Sequence, residues 1–126
     1  MTDRNFKFSE RSNSKLDGVD ERLIRVATLA LQLSPVDFGI TEGVRTLERQ
    51  KELVKAGASR TLRSKHLEGK AIDVVAYVGG KVAWDWPLYE KIAKAFKQAA
   101  DELDVKIKWG GDWVTFKDGP HFQLEE

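Results

Sequence analysis

Two histidines, each close to an acidic residue, are the side chains of this sequence best suited to metal chemistry. His66 precedes Asp73 on one segment, and His121 follows Asp118 near the end of the chain. Two imidazoles and a carboxylate are a common ligand set for catalytic zinc, with a fourth position left open for water. A further carboxylate beside that water can serve as a general base. The residues therefore favour a small metallohydrolase.

Each pair also has an ordinary structural interpretation. Asp73 lies in an apolar run, where a carboxylate is costly unless it is paired or metal-bound, so it could pair with an arginine or cap a turn. Asp118 and His121 could be a turn residue and a hydrogen-bonded strand residue. The spacing is less specific than the HExxH pattern, which is absent. Because the chain has only two histidines and both occur in such pairs, metal ligation by His66, Asp73 and His121 is the stronger interpretation.

The composition excludes several other classes of protein. The chain has 126 residues, which fits one domain, and it has no cysteine, which excludes thiolate zinc sites and a disulfide framework. Its net charge is +1, from 21 basic and 20 acidic residues, so we expect no nucleic-acid partner. We also expect no signal peptide and no membrane anchor, because no stretch has the apolar length that either requires. A monomer is the default expectation.

Hydrophobic periodicity predicts the elements that must position these residues. Residues 1–16 are polar and show little period, so we expect a loosely held arm. Helical spacing recurs in three segments, residues 18–33, 46–56 and 87–103. Strand patterns occur at residues 38–41, 71–78, 81–84, 105–109 and 121–124. We therefore predict an α+β fold over residues 1–126, a small, mostly antiparallel sheet packed against about three helices in a single domain.

The predicted elements place the candidate ligands near the ends of two strands. On one continuous strand His66 and Asp73 would point to opposite faces, so His66 must precede the strand, with Gly69 allowing a bend. His121 opens the last strand and shares a face with Gln123. If these two strands are neighbours, the three ligands can converge on one ion.

The sequence resembles the LAS group of zinc peptidases. The resemblance is carried by the run Ser64-x-His66-x-x-Gly69-x-Ala71-x-Asp73, by the segment 110–113 (Gly-Gly-Asp-Trp), and by Asp118-x-x-His121-Phe122. The upstream segment 41–45 (Thr-Glu-Gly-Val-Arg), with Arg49-Gln50, also matches. The resemblance extends from about residue 17 to the C-terminus. Within this group, the chain is similar to bacteriophage endolysins that are L-alanyl-D-glutamate endopeptidases. It implies the LAS or hedgehog-like peptidase fold.

The resemblance also implies a role for each matching residue. His66, Asp73 and His121 match the ligands of one Zn²⁺ ion. Asp118 matches the catalytic base, and Arg45 matches the arginine that steadies the substrate carbonyl or its developing oxyanion. Many relatives have glutamate where this chain has Asp118, whose side chain is one methylene shorter.

Two further residues are candidates for substrate contact. Ser64 lies in the motif and is expected to support His66 or to contact substrate. Trp113 follows the Gly110-Gly111 turn and could line a cleft or belong to the core. For Trp84 and Trp109 we favour the core.

The function implied is that of a phage endolysin, which hydrolyses the L-alanyl-D-glutamate bond of peptidoglycan stem peptides and causes host cell lysis. Such an enzyme accumulates in the host cytoplasm until a separate membrane-permeabilising protein releases it to the cell wall, and no cell-wall-binding domain is expected here. One alternative is a D-alanyl-D-alanine carboxypeptidase or dipeptidase, which would use the same zinc site. Another is a non-catalytic module that binds metal or peptidoglycan, against which Asp118 argues because a purely structural site needs no base.

Overall fold

The computed structural model describes residues 6–57, 65–114 and 117–125, which form an α+β domain. Its helices are α1 (Glu10–Leu16), α2 (Glu21–Leu33), α3 (Leu47–Lys55) and α4 (Trp86–Leu103). Its strands are β1 (Asp37–Glu42), β2 (Ala71–Val78), β3 (Lys81–Ala83), β4 (Ile107–Trp109) and β5 (His121–Leu124). Short 3₁₀ turns occupy Lys65–Glu68 and Gly110–Asp112. The predicted fold class is confirmed, with one helix more than expected.

Strand β2 is the centre of an antiparallel sheet with the order β1-β2-β5-β4. β1 pairs along one edge of β2, whereas β5 pairs with the first half of the other edge and β3 with its second half. The strands that carry Asp73 and His121 are therefore direct neighbours, which was the condition for the predicted site.

The core lies between one face of this sheet and helices α2 and α4. Alternate residues of β2, namely Ile72, Val74 and Ala76, are fully buried on that face. Phe96 of α4 stacks on Phe122 of β5 with ring centroids 3.9 Å apart. Because side chains alternate along a strand, this packing directs Asp73 to the opposite face of the sheet.

The helix ends follow the local signals of the sequence. The side chain of Asp20 accepts a hydrogen bond from Arg22 N at the start of α2, and Ser34 ends that helix before Pro35. The Thr46 side chain caps α3 by accepting a bond from Arg49 N. Pro87 lies in the first turn of α4. Of the helices in the described ranges, none is long and apolar enough to cross a membrane.

The expectation of a loosely held arm over residues 1–16 is wrong for its second half. Residues Glu10–Leu16 form α1, which Ser9 caps and which buries Ser12 and Leu16. The Ser12 hydroxyl accepts a hydrogen bond from Ile40 N at 3.0 Å, so α1 satisfies an outward-facing backbone group of edge strand β1. A helix this short has too few apolar residues to show a period, which is why the sequence pattern missed it.

The two tryptophans assigned to the core behave differently. Trp109 is 7% exposed, and its indole N–H donates to Gly119 O, as expected of a core residue. Trp84 is 64% exposed, so the core assignment is wrong for that residue. It follows the short edge strand β3 and stacks on Tyr89 from outside.

We predict that Ser12→Ala destabilises the fold by about 1–3 kcal/mol, because Ile40 N would remain buried without an acceptor. Thermal and urea unfolding followed by circular dichroism measure the change. Ser14→Ala on the same helix is the matched control, since the Ser14 hydroxyl is exposed and its hydrogen bond within the described ranges goes to Arg11 O of the same helix. Equal stability of the two variants would contradict this account of α1.

Candidate metal centre

The pairing of β2 with β5 places Asp73 directly opposite His121. Asp73 Oδ1 lies 3.2 Å from His121 Nδ1 and 3.4 Å from His66 Nε2. One potential ligand atom from each of the three residues lies within 4.8 Å of the other two. The tertiary structure thus brings together the three residues that the sequence predicted as metal ligands, in a group that could hold an ion.

His66 lies in the 3₁₀ turn before β2, as predicted, and is almost completely buried. Its carbonyl oxygen accepts hydrogen bonds from Arg45 N at 2.9 Å and from Gly69 N at 3.3 Å. Gly69 has φ +71°, a conformation that glycine adopts without strain. The turn therefore holds the His66 backbone in place while the chain bends into β2.

Hydrogen bonds on the outer side of the site determine which nitrogen each histidine offers to a metal. His66 Nδ1 lies 2.8 Å from Gly43 O, and a carbonyl oxygen can only accept, so Nδ1 carries the proton and Nε2 faces Asp73. His121 Nε2 lies 2.8 Å from Gln123 Oε1, which leaves Nδ1 facing Asp73. Gly43 and Gln123 supply the acceptors that sequence reasoning did not identify. The only signal for Gln123 was its position on the same strand face as His121.

The donor set of this centre fits a divalent cation. In the neutral tautomers defined above, two imidazole lone pairs and a carboxylate oxygen converge, and these three would repel one another without a positive charge between them. Two imidazoles and one carboxylate suit Zn²⁺ and leave a coordination position open. His66, Asp73 and His121 would hold the ion.

The charges of the site favour a cation between His66, Asp73 and His121. Without a metal, a proton can supply this positive charge: burial alone would raise the pKa of Asp73, but its interactions with the His121 and His66 imidazoles outweigh burial and hold that pKa well below its usual range. Burial would lower the pKa of His121, yet the hydrogen bond to Asp73 raises it overall. Asp73 therefore attracts positive charge to the point where a metal ion would lie.

Asp118 lies in the turn that leads into β5, close to the ligands. Its backbone N–H donates to Gly110 O at 3.0 Å, and its carbonyl accepts from His121 N at 3.2 Å. Burial, followed by the negative charge of Asp73, raises the pKa of the Asp118 carboxyl. The structure thus places a second carboxylate beside the metal ligands without making it one of the three converging groups.

Arg45 is buried beside the same centre. Its guanidinium donates to both carboxylate oxygens of Glu42, at 2.6 and 2.9 Å, and to Gln50 Oε1 at 2.6 Å. Its Nη2 also lies 3.6 Å from Asp73 Oδ2. Glu42 and Gln50 were part of the matching sequence segments, but their contact with Arg45 was not foreseen.

Trp113 and Ser64 were the two candidates for substrate contact. The half-buried Trp113 ring lies 5.1 Å from the His121 ring, between centroids, so it borders the metal centre. Ser64 lies outside the described residues.

Comparisons with known proteins agree with this geometry. A sequence model of the family described as phage L-alanyl-D-glutamate peptidase matches residues 4–124. This chain belongs to that family. It is therefore a peptidase of the LAS-like α+β type predicted from its motifs.

Individual relatives carry the same description. The L-alanyl-D-glutamate peptidase of Escherichia phage T5 is 40% identical over 112 residues, covering 86% of this chain and 82% of the relative. That of Listeria phage A118 is 44% identical over 89 residues, 71% of this chain but only 31% of the relative. The crystal structure of the Serratia marcescens L-Ala D-Glu endopeptidase ChiX is 49% identical, with a TM-score of 0.90, and the match covers 98% of this chain and 94% of ChiX.

We predict that Gln123→Ala weakens zinc binding by about 10–100-fold, because His121 would lose the acceptor that orients its ring. Competition with a chromophoric chelator measures the affinity. Gln98→Ala is the control, since Gln98 is exposed on α4 and its side chain bonds, among the described residues, only to Glu102. Unchanged affinity in the Gln123 variant would show that the ring is held by other contacts.

Proposed function

We propose that this chain is a zinc-dependent endopeptidase that hydrolyses the L-alanyl-D-glutamate bond of peptidoglycan stem peptides. The observation that carries the proposal is the convergence of His66, Asp73 and His121 beside the half-buried carboxylate of Asp118. Membership of the peptidase family and the likeness to ChiX support the choice of bond.

The proposed mechanism assigns the proton transfers to Asp118. His66, Asp73 and His121 would hold a zinc ion, which would supply Lewis-acid chemistry to the scissile carbonyl and to an attacking water. Asp118 accepts the proton of that water as the water attacks the L-alanyl carbonyl, and it then delivers the proton to the leaving nitrogen of D-glutamate. One carboxylate thereby acts first as base and then as acid.

Arg45 contributes a fixed positive charge beside the reacting carbonyl. Its bonds to Glu42 and Gln50 hold the guanidinium rigidly, so stabilising a developing oxyanion requires no reorganisation. The Trp113 ring lies 5.1 Å from the His121 ring, so we expect it to contact a bound peptide.

In the biological setting that we propose, the protein is a phage endolysin that acts on the host cell wall and contributes to lysis. The described domain contains the peptidase centre, and we propose that it reaches the wall after a separate protein has permeabilised the membrane. The phage relatives support this setting.

Digestion of purified peptidoglycan of the diaminopimelate type tests the bond specificity and the metal dependence. We expect new N-terminal D-glutamate and new C-terminal L-alanine, identified by mass spectrometry. A chelator should abolish the cleavage, and added Zn²⁺ should restore it. Release of D-alanine alone would instead identify a carboxypeptidase, and no cleavage by the zinc-loaded protein would favour a binding module.

We predict that Asp118→Asn lowers kcat by about 100-fold or more while zinc remains bound, because an amide cannot accept the proton. Metal content by mass spectrometry and turnover of a stem peptide are measured together. Asp112→Asn is the matched control, since Asp112 is exposed and pairs with Lys97 on α4. Loss of zinc from the Asp118 variant would identify Asp118 as a ligand and not as the base.

A further inference from the structure

We propose that the cavity beside Arg45 is a subsite for the free α-carboxylate of the D-glutamyl residue, with Lys15 and Arg49 as its recognition residues. This inference rests on the proposed function and deepens it, because it names the substrate group that the enzyme would recognise next to the bond it cuts.

The cavity lies between the end of α1 and the segment that joins β1 to α3. It has a volume of about 450 Å³, and its lining includes Lys15, Thr41, Glu42, Arg45, Thr46 and Arg49. This volume is within the range of ordinary small-molecule sites, so it can hold an amino-acid side chain together with its carboxylate. The lining is mainly polar and charged, which suits an ionic group.

The cavity adjoins the candidate metal centre through two of its lining residues. Arg45 lines it and lies 3.6 Å from Asp73 Oδ2, the carboxylate of a metal ligand. Thr41 also lines it, and its hydroxyl donates to Asp73 O at 3.3 Å. Arg45 and Thr41 therefore connect the cavity to Asp73, and the proposed subsite requires the residue after the scissile bond to extend into this space.

The charges around the cavity leave a positive excess. Glu42 already accepts two bonds from Arg45, so its carboxylate is engaged within the lining. Among the described residues no ion pair engages Lys15, and Arg49 pairs only with Glu52, an exposed contact at 3.4 Å of little energetic value. Lys15 and Arg49 then face one remaining acidic residue of the lining, Asp17.

The packing of α1 against Gly43 fixes the position of the Lys15 backbone beside the cavity. Gly43 lies so close to the end of α1 that a Cβ atom at this position would be 1.9 Å from Lys15 O. Only glycine allows that approach. Since Gly43 O also accepts the bond from His66 Nδ1, the element that carries Lys15 has a fixed position relative to a metal ligand.

The substrate offers an anionic group that matches the positive charge of this cavity. In a stem peptide D-glutamate continues through its γ-carboxyl, so its α-carboxylate is free and lies on the residue just beyond the scissile bond. Many cell walls carry an amide in place of that carboxylate. A carboxylate can accept charge-assisted bonds from lysine and arginine, whereas a neutral amide cannot attract them in the same way.

Steady-state kinetics on matched synthetic peptides test the proposal. One peptide contains L-Ala-D-Glu, a second replaces the α-carboxylate by an amide, and a third keeps it but carries amidated carboxylates on the following diamino acid. For Lys15→Gln/Arg49→Gln we expect kcat/KM on the first and third peptides to fall about tenfold, mainly through KM. On the amide peptide we expect less than about a twofold change. Arg11→Gln/Lys55→Gln, on the same two helices but outside the cavity, should match the wild type.

The outcomes separate the subsite from the proposed function. Equal losses on all three peptides, or no loss on any, would overturn the subsite while cleavage itself upholds the peptidase. A loss confined to peptides with free carboxylates on the diamino acid would overturn the assignment to D-glutamate. Failure of the zinc-loaded wild type to cleave any of the three peptides would overturn the proposed function.

Discussion

The antiparallel pairing of β2 with β5 is the constraint on which the candidate metal centre depends. It places Asp73 opposite His121, and the packing of Ile72 and Phe122 into the core turns both ligands to the other face. A shift of one residue in this register would move Asp73 into the core and Ile72 to the site. The aromatic stack of Phe96 on Phe122 therefore supports the chemistry as well as the fold.

The charged side chains around Asp73 compensate one another electrostatically. Asp73 is surrounded by His66, His121 and Arg45, and the guanidinium of Arg45 is balanced by Glu42. Removing one member of such a buried group leaves another charge without compensation, which costs more than the pair contributes when intact. The histidines and Arg45 therefore hold the ligand carboxylate at a defined place, where a cation completes the balance.

The N-terminal helix α1 contacts both the edge strand β1 and the segment that orients His66. Ser12 bonds the edge of β1, and the end of α1 packs against Gly43, whose carbonyl orients His66. The same helix lines the cavity next to Arg45. A segment with no visible sequence period is thus part of the framework around the metal ligands.

The sequence by itself determined the elements and the ligand types. Residue spacing and capping signals, such as Thr46 before α3 and Gly69 after the His66 turn, act within a few residues and so can be recognised in the chain. Only the tertiary structure decided which groups meet across long separations. The acceptor of His66 is a backbone carbonyl 23 residues away. Because every residue has such a carbonyl, the sequence cannot show which one accepts the bond. The contact of Arg45 with Asp73, the burial of α1 and the exposure of Trp84 likewise depend on how distant elements pack, because burial is a property of the whole assembly and not of a local pattern.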